Sequence, residues 1–145
     1  MKTKSLILGL LAFLLSANLF SQETYTLSIS EIIVGQKNET NTLDSAIEAT
    51  LTQNVPQTII LYEQDGLKVG STFTPKFKGR RMKLTRTIFV ETPAGEIVKA
   101  KQKKAVQMLK VSVTGSMKGR DTAEILYNRK MRKSIFVKYN YDLTY

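Results

Sequence analysis

The chain has no cysteine, no histidine and no tryptophan, and only three of its 145 residues are proline. Without cysteine, a disulfide scaffold of the kind that staples many small secreted domains is excluded. A lipid anchor attached through a cysteine next to a leader is excluded as well. Without histidine and cysteine, the commonest general base, the commonest metal ligand and the thiolate nucleophile are all missing. A Ser-His-Asp arrangement cannot be built, and a zinc site would have to use carboxylates alone. The lack of tryptophan also removes the usual platform on which sugars stack.

The remaining options for catalysis are thin. Paired carboxylates run glycoside hydrolysis when held about 5–10 Å apart, and Glu63/Asp65 and Asp121/Glu124 are close in sequence. Asp65 is accounted for by an Asp-Gly turn, and Asp121 by capping or turn formation ahead of Thr122-Ala123. Gly115-Ser116-Met117-Lys118-Gly119 lacks the Gly-Lys-Ser/Thr ending and the following helix of a phosphate-cradling loop, and reads as a hairpin turn. No residue is put forward as catalytic, cofactor-binding or metal-ligating, and the expectation is a protein that is not an enzyme.

What is present begins with a leader. Lys2 and Lys4 precede the apolar run 6–15, and Ser16, Ala17 and Ser21 follow it before the polar Gln22-Glu23. This is the layout of a cleavable signal peptide over 1–21, with cleavage between Ser21 and Gln22. The apolar run is well short of the ~20 residues that cross a bilayer as a helix. The expected destination is the periplasm or the exterior, and Gln22–Tyr145 is read as one domain. Asn38-Glu39-Thr40 forms an N-x-Thr sequon of little weight.

Charge is divided unevenly along the chain. Residues 22–66 carry one base, Lys37, against seven acids, whereas residues 67–145 carry nineteen lysines and arginines against five acids. The bases of the second half gather at expected turns: Lys76, Lys78, Arg80, Arg81 and Lys83; the lysines of 99–104; and Arg129, Lys130, Arg132 and Lys133. Such clusters fit an anionic partner. For an exported protein this means an envelope component such as lipid phosphate or acidic polysaccharide, or an acidic protein. Nucleic acid is disfavoured, because aromatics interleaved as stacking platforms are missing apart from Phe77.

Hydropathy alternates with period two over most of the chain. Tyr25, Leu27 and Ile29 open a strand that runs on towards Val34, and Gly35–Asn41 reads as loop. Ile59–Tyr62 is a central strand, Asp65-Gly66 a hairpin turn, and Met82, Leu84, Ile88 and Val90 a further strand before the Thr92–Gly95 turn. Residues 97–110 are compatible with helix or strand. Leu43, Ala46, Ile47, Thr50 and Leu51 share one helical face behind a cap at Asn41 or Thr42. The expected class is mainly β, with α+β as the alternative. The expected architecture is an antiparallel β-sandwich or curved sheet of about seven or eight strands, with one packed helix near residues 42–54.

The last segment alternates most regularly. Ile135, Val137, Tyr139, Tyr141, Leu143 and Tyr145 face one way, and Phe136 is the only large apolar residue on the other side. These residues resemble the terminal strand of outer-membrane β-barrels, which implies a small barrel or barrel-associated subunit as the alternative to a binding or scaffolding module. Arg86 and Glu31 interrupt what would be lipid-facing rows of such a barrel. In a soluble domain, the same C-terminal strand offers an edge for strand addition by a partner.

Overall fold

The structure is a computed structural model that describes residues 24–36, 39–78, 81–101, 106–110 and 116–144. The leader with its Ser21/Gln22 junction, Asn38 of the sequon, Arg80, Lys103, Lys104 and Tyr145 lie outside the described residues. Among the described residues there are ten strands: β1 (Thr24–Gln36), β2 (Glu39–Leu43), β3 (Ile47–Thr52), β4 (Gln57–Gln64), β5 (Leu67–Lys78), β6 (Arg81–Glu91), β7 (Ile97–Lys99), β8 (Val106–Lys110), β9 (Ser116–Asn128) and β10 (Lys133–Thr144). They form two antiparallel sheets. The first runs β2-β1-β10-β9 with β3 also on β1, and the second runs β4-β5-β6-β7 with β8 also on β6.

The first strand shows how sequence sets this geometry. Tyr25, Leu27 and Ile29 are buried, and the inward series then resumes one position out of phase at Ile32 and Val34. The step is a β-bulge. Glu31 takes a left-handed φ of 50°, and the pairing with β10 shifts between Ser30 and Ile33. One extra residue reverses which face each side chain meets, so Glu31 points out and the apolar row continues.

The opposite edge of β1 is shared by two strands. Residues 32–36 pair with β2 and residues 24–29 with β3. β6 repeats the arrangement, pairing through 81–85 with β8 and through 89–91 with β7. Counting each broken edge as a single strand leaves eight; the segments beyond the expected seven or eight are β2 and β3, which stand where loop and helix were expected.

The helix expected near residues 42–54 does not form, and no helix occurs among the described residues. Leu43, Ile47 and Leu51 do face the core, but as members of β2 and β3, with Glu48 and Thr50 exposed between them. Over so short a segment the two periods share most of their apolar positions. The pairing of Ile29–Thr24 with Ile47–Thr52 decides for strand. Residues 97–99 and 106–110 are likewise strands, and the loop expected over Gly35–Asn41 is mostly taken up by β1 and β2. Residues 116–119, read as part of a turn, lie inside β9.

The Asp65-Gly66 hairpin forms as expected. Both residues have positive φ, 53° and 79°, the signature of a type I′ turn. The Thr92–Gly95 turn closes through Gly95 N–H donating to Thr92 O at 2.8 Å.

Inward-facing residues of both sheets join one buried cluster that includes Leu27, Ile29, Phe73, Leu84, Ile88, Val137, Tyr139 and Leu143. Outward positions are mostly Thr, Ser, Lys and Glu. One exception lies on the second sheet, where the Phe89 ring covers Gly70 across the β5–β6 pair. A Cβ on Gly70 would sit 2.6 Å from Phe89 Cζ and 2.9 Å from the Ile59 carbonyl oxygen. Gly70→Ala is therefore expected to lower the unfolding free energy by about 1–3 kcal/mol. Combining it with Phe89→Leu should restore part of the loss, both read by urea denaturation.

Candidate functional site

The register places the basic clusters. Gln36 pairs with Ile135, so the β1–β2 and β9–β10 turns lie at one end of the first sheet, and Thr26 pairs with Thr144 towards the other. A cleft of about 1070 Å³ is lined by the β1–β2, β4–β5, β6–β7 and β9–β10 turns, which puts all four at the same end. At the opposite end, Asn54 N–H donates to Pro75 O at 2.7 Å and ties the β3–β4 turn to β5 close to the β5–β6 turn. The expected basic patches are thus not gathered into one rim. Lys76, Lys78, Arg81 and Lys83 stand at one end, and Arg129, Lys130, Arg132 and Lys133 at the other.

The β5–β6 hairpin pairs like with like: Lys76 lies opposite Lys83, and Lys78 opposite Arg81. Like charges directly opposed across strands are destabilising. In the β9–β10 turn all four bases are exposed. Asn128 Oδ1 accepts a hydrogen bond from Met131 N–H at 3.1 Å, and Arg132 takes a left-handed φ of 50°. Among the described residues the ion pairs are Arg86–Asp121 and Lys118–Asp142, so Lys76, Lys83 and the four bases of the β9–β10 turn have no carboxylate partner there.

The carboxylate pairs do not converge. Asp121 is buried and Glu124 exposed, on opposite faces of β9, while Glu63 and Asp65 are exposed at the β4–β5 turn. Among the described residues, no group of three or more acidic side chains is placed to hold a metal ion.

Asp121 is instead half of a feature that turn chemistry had hidden. Four inward positions, one on each of β5, β6, β9 and β10, carry a polar group where the alternation calls for an apolar one: Ser71, Arg86, Asp121 and Tyr139. Arg86 Nε donates to Asp121 Oδ2 at 2.8 Å and Nη2 donates to Oδ1 at 3.0 Å, a two-pronged pair whose members are 3% and 4% exposed. Arg86 Nη1 donates to Leu84 O at 3.3 Å, and the guanidinium lies 4.8 Å from the centre of the Tyr141 ring. Tyr139 Oη donates to Asp121 Oδ2 at 2.7 Å. Its own oxygen then accepts from Ser71 Oγ at 2.9 Å, with Thr87 O a more distant acceptor for the same proton at 3.3 Å.

Burial favours the neutral form of Tyr139 and pushes its hydroxyl well above the usual value near 10, and the Asp121 charge adds to this. Tyr141 is raised for the same leading reason. Burial alone would lower Arg86, but the hydrogen bond and charge of Asp121 outweigh it and the net direction is upward. The sequence signal for this network was an opposite-charge pair, each member interrupting an apolar series at spacing two: Met82-Leu84-Arg86-Ile88-Val90, and Met117 to Ile125 around Asp121.

Comparison with protein-family models, with curated proteins and with solved structures finds no match.

Removing one partner of a buried ion pair leaves the other charged and unsolvated, so Asp121→Asn is expected to lower stability by about 3–5 kcal/mol. The double replacement Arg86→Met/Asp121→Leu should recover most of that loss in urea denaturation. Tyr139 predicts a pH dependence. The folded chain holds its proton to higher pH than the unfolded chain, so this stabilisation is complete below about pH 10 and declines as pH rises above it. Tyr139→Phe should cost about 1.5–3 kcal/mol at neutral pH and flatten the alkaline decline, with Tyr141 leaving a residual slope.

Proposed function

We propose that the chain is an exported β-sandwich module that binds an anionic partner in the cell envelope or outside the cell, and that it scaffolds rather than catalyses. The observation that carries this reading is the like-charge pairing on β5–β6. Lys76 lies opposite Lys83 with no carboxylate partner for either among the described residues, and the register sets Lys78 opposite Arg81. A hairpin that serves only as a connection gains nothing from two repelling rungs; an anion laid across them relieves the repulsion. The leader over 1–21 supports export, and the missing histidine and cysteine support a non-catalytic role. The sandwich reading rests on contacts between the sheets, Arg86 to Asp121 and Phe73 to Tyr139 with ring centres 6.1 Å apart.

A membrane-spanning barrel would need apolar side chains on the outward face. Here the outward positions of β1 and β10 include Thr26, Ser28, Ser30, Lys138, Asn140 and Asp142, with Ile33 and Phe136 as the apolar exceptions, and the apolar row from Ile135 to Leu143 faces inward. That polarity favours the water-soluble module.

The test is retention of the exported protein, recovered from cells expressing the full chain, on a sulfonated resin. It is expected to elute at higher salt than a basic protein of matched net charge, and Lys76→Glu/Lys83→Glu should remove most of the excess retention. Elution together with the control would refute the reading.

A further inference from the structure

We infer that the β9–β10 hairpin docks the protein on an anionic lipid surface, with the Met131 side chain entering the lipid interface and the flanking bases meeting headgroup phosphates. This deepens the anionic-partner reading and rests on it, but concerns the opposite end of the molecule from the β5–β6 hairpin.

Of the six large apolar side chains exposed among the described residues, three lie at this hairpin, including the most exposed; Val55, Ile60 and Ile97 lie elsewhere and have no cluster of bases around them. Met131 sits at the apex of the turn and is 65% exposed. Leu126 and Phe136, 47% and 39% exposed, lie just below it on the outward face of the first sheet. Leu126 pairs with Ser134 and Phe136 with Glu124, which makes the two apolar side chains diagonal neighbours across the strands. Arg129, Lys130, Arg132 and Lys133 surround the apex. An apolar tip ringed by unpaired bases is complementary to an anionic interface, where each base near the surface contributes about 1 kcal/mol, a factor of about five in affinity. A purely polyanionic partner would account for the bases but would leave the exposed methionine unexplained.

The backbone supplies a second observation. Arg132 occupies a left-handed position where glycine or asparagine would be unstrained. Asn128 Oδ1 holds Met131 N–H, and Arg132 N–H donates to Arg129 O at 3.4 Å, so the apex has a defined shape. A charged side chain held in a conformation that disfavours it is local strain of the kind that gathers at binding sites. The acids that share the end cleft, Glu39, Asp65 and Glu96, belong to the other three turns and make no ion pair with these bases. Their repulsion from the same surface tilts the protein onto its β9–β10 edge.

The experiment is co-sedimentation of the exported protein with phosphatidylcholine vesicles, with and without phosphatidylglycerol, beside retention on a polyphosphate column. Binding is expected only with phosphatidylglycerol. Arg132→Gly should weaken it about fivefold, while the unfolding midpoint stays or rises because glycine accepts the left-handed φ. Met131→Ser should weaken vesicle binding and leave polyphosphate retention unchanged. Retention on polyphosphate without vesicle binding would overturn the lipid inference and leave the anionic-partner reading standing, whereas loss of both would overturn both. Vesicle binding indifferent to both variants would also overturn the inference.

Discussion

The buried pairing of Arg86 with Asp121 is the constraint on which the relative placement of the two sheets depends. A guanidinium and a carboxylate taken out of water are tolerable only if nearly every polar atom finds a partner. Here Leu84 O, Tyr139 and, through it, Ser71 supply the remaining hydrogen bonds. Hydrophobic contact alone would permit neighbouring registers of similar quality. A shift of one residue on β6 or β9 would turn one charge outward and leave the other stranded in the core. The pair thus contributes specificity beyond any net stabilisation, and it ties β6 of one sheet to β9 of the other.

Packing around the pair follows from its size. The Tyr141 ring lies beside the guanidinium and reaches over β9 at Gly119, where a Cβ would fall 2.2 Å from the tyrosine hydroxyl oxygen. A glycine inside a strand marks such a close approach of a neighbouring group. Phe73 meets both Tyr139 and Tyr141, so aromatic rings cover the polar network on the side of the core. The uneven charge of the two halves is not neutralised by this assembly. Asp121 is the acid that the interior consumes, the bases of the β5–β6 and β9–β10 hairpins stand at opposite ends, and those of the β9–β10 turn face water.

Much of the strand pattern was legible from period-two alternation: the first strand, the Asp65-Gly66 hairpin, the Thr92–Gly95 turn and the inward row of the last strand from Ile135 to Leu143, with Phe136 correctly outside it. The segment 42–54 was not. Leu43, Ile47 and Leu51 satisfy helical and extended spacing alike, and only the free edge of β1 selects between them. Asp121 was misjudged for a related reason. A carboxylate ahead of Thr-Ala has a local explanation as a turn residue, and nothing nearby in sequence reveals that Arg86, thirty-five positions earlier, waits across the core.

By itself, the sequence determined the composition of the two faces of each strand, the positions of the tightest turns and the chemistry that catalysis would have to do without. These are local properties, set by side-chain size, charge and backbone preference within a few residues. Tertiary structure decided the breaking of the edges opposite β1 and β6, the bulge at Glu31 that keeps an apolar row in phase, and the partner of each buried charge. It also decided that two basic clusters adjacent in style stand at opposite ends. Those outcomes depend on which strands meet, and strand pairing is fixed by contacts between residues far apart in the chain.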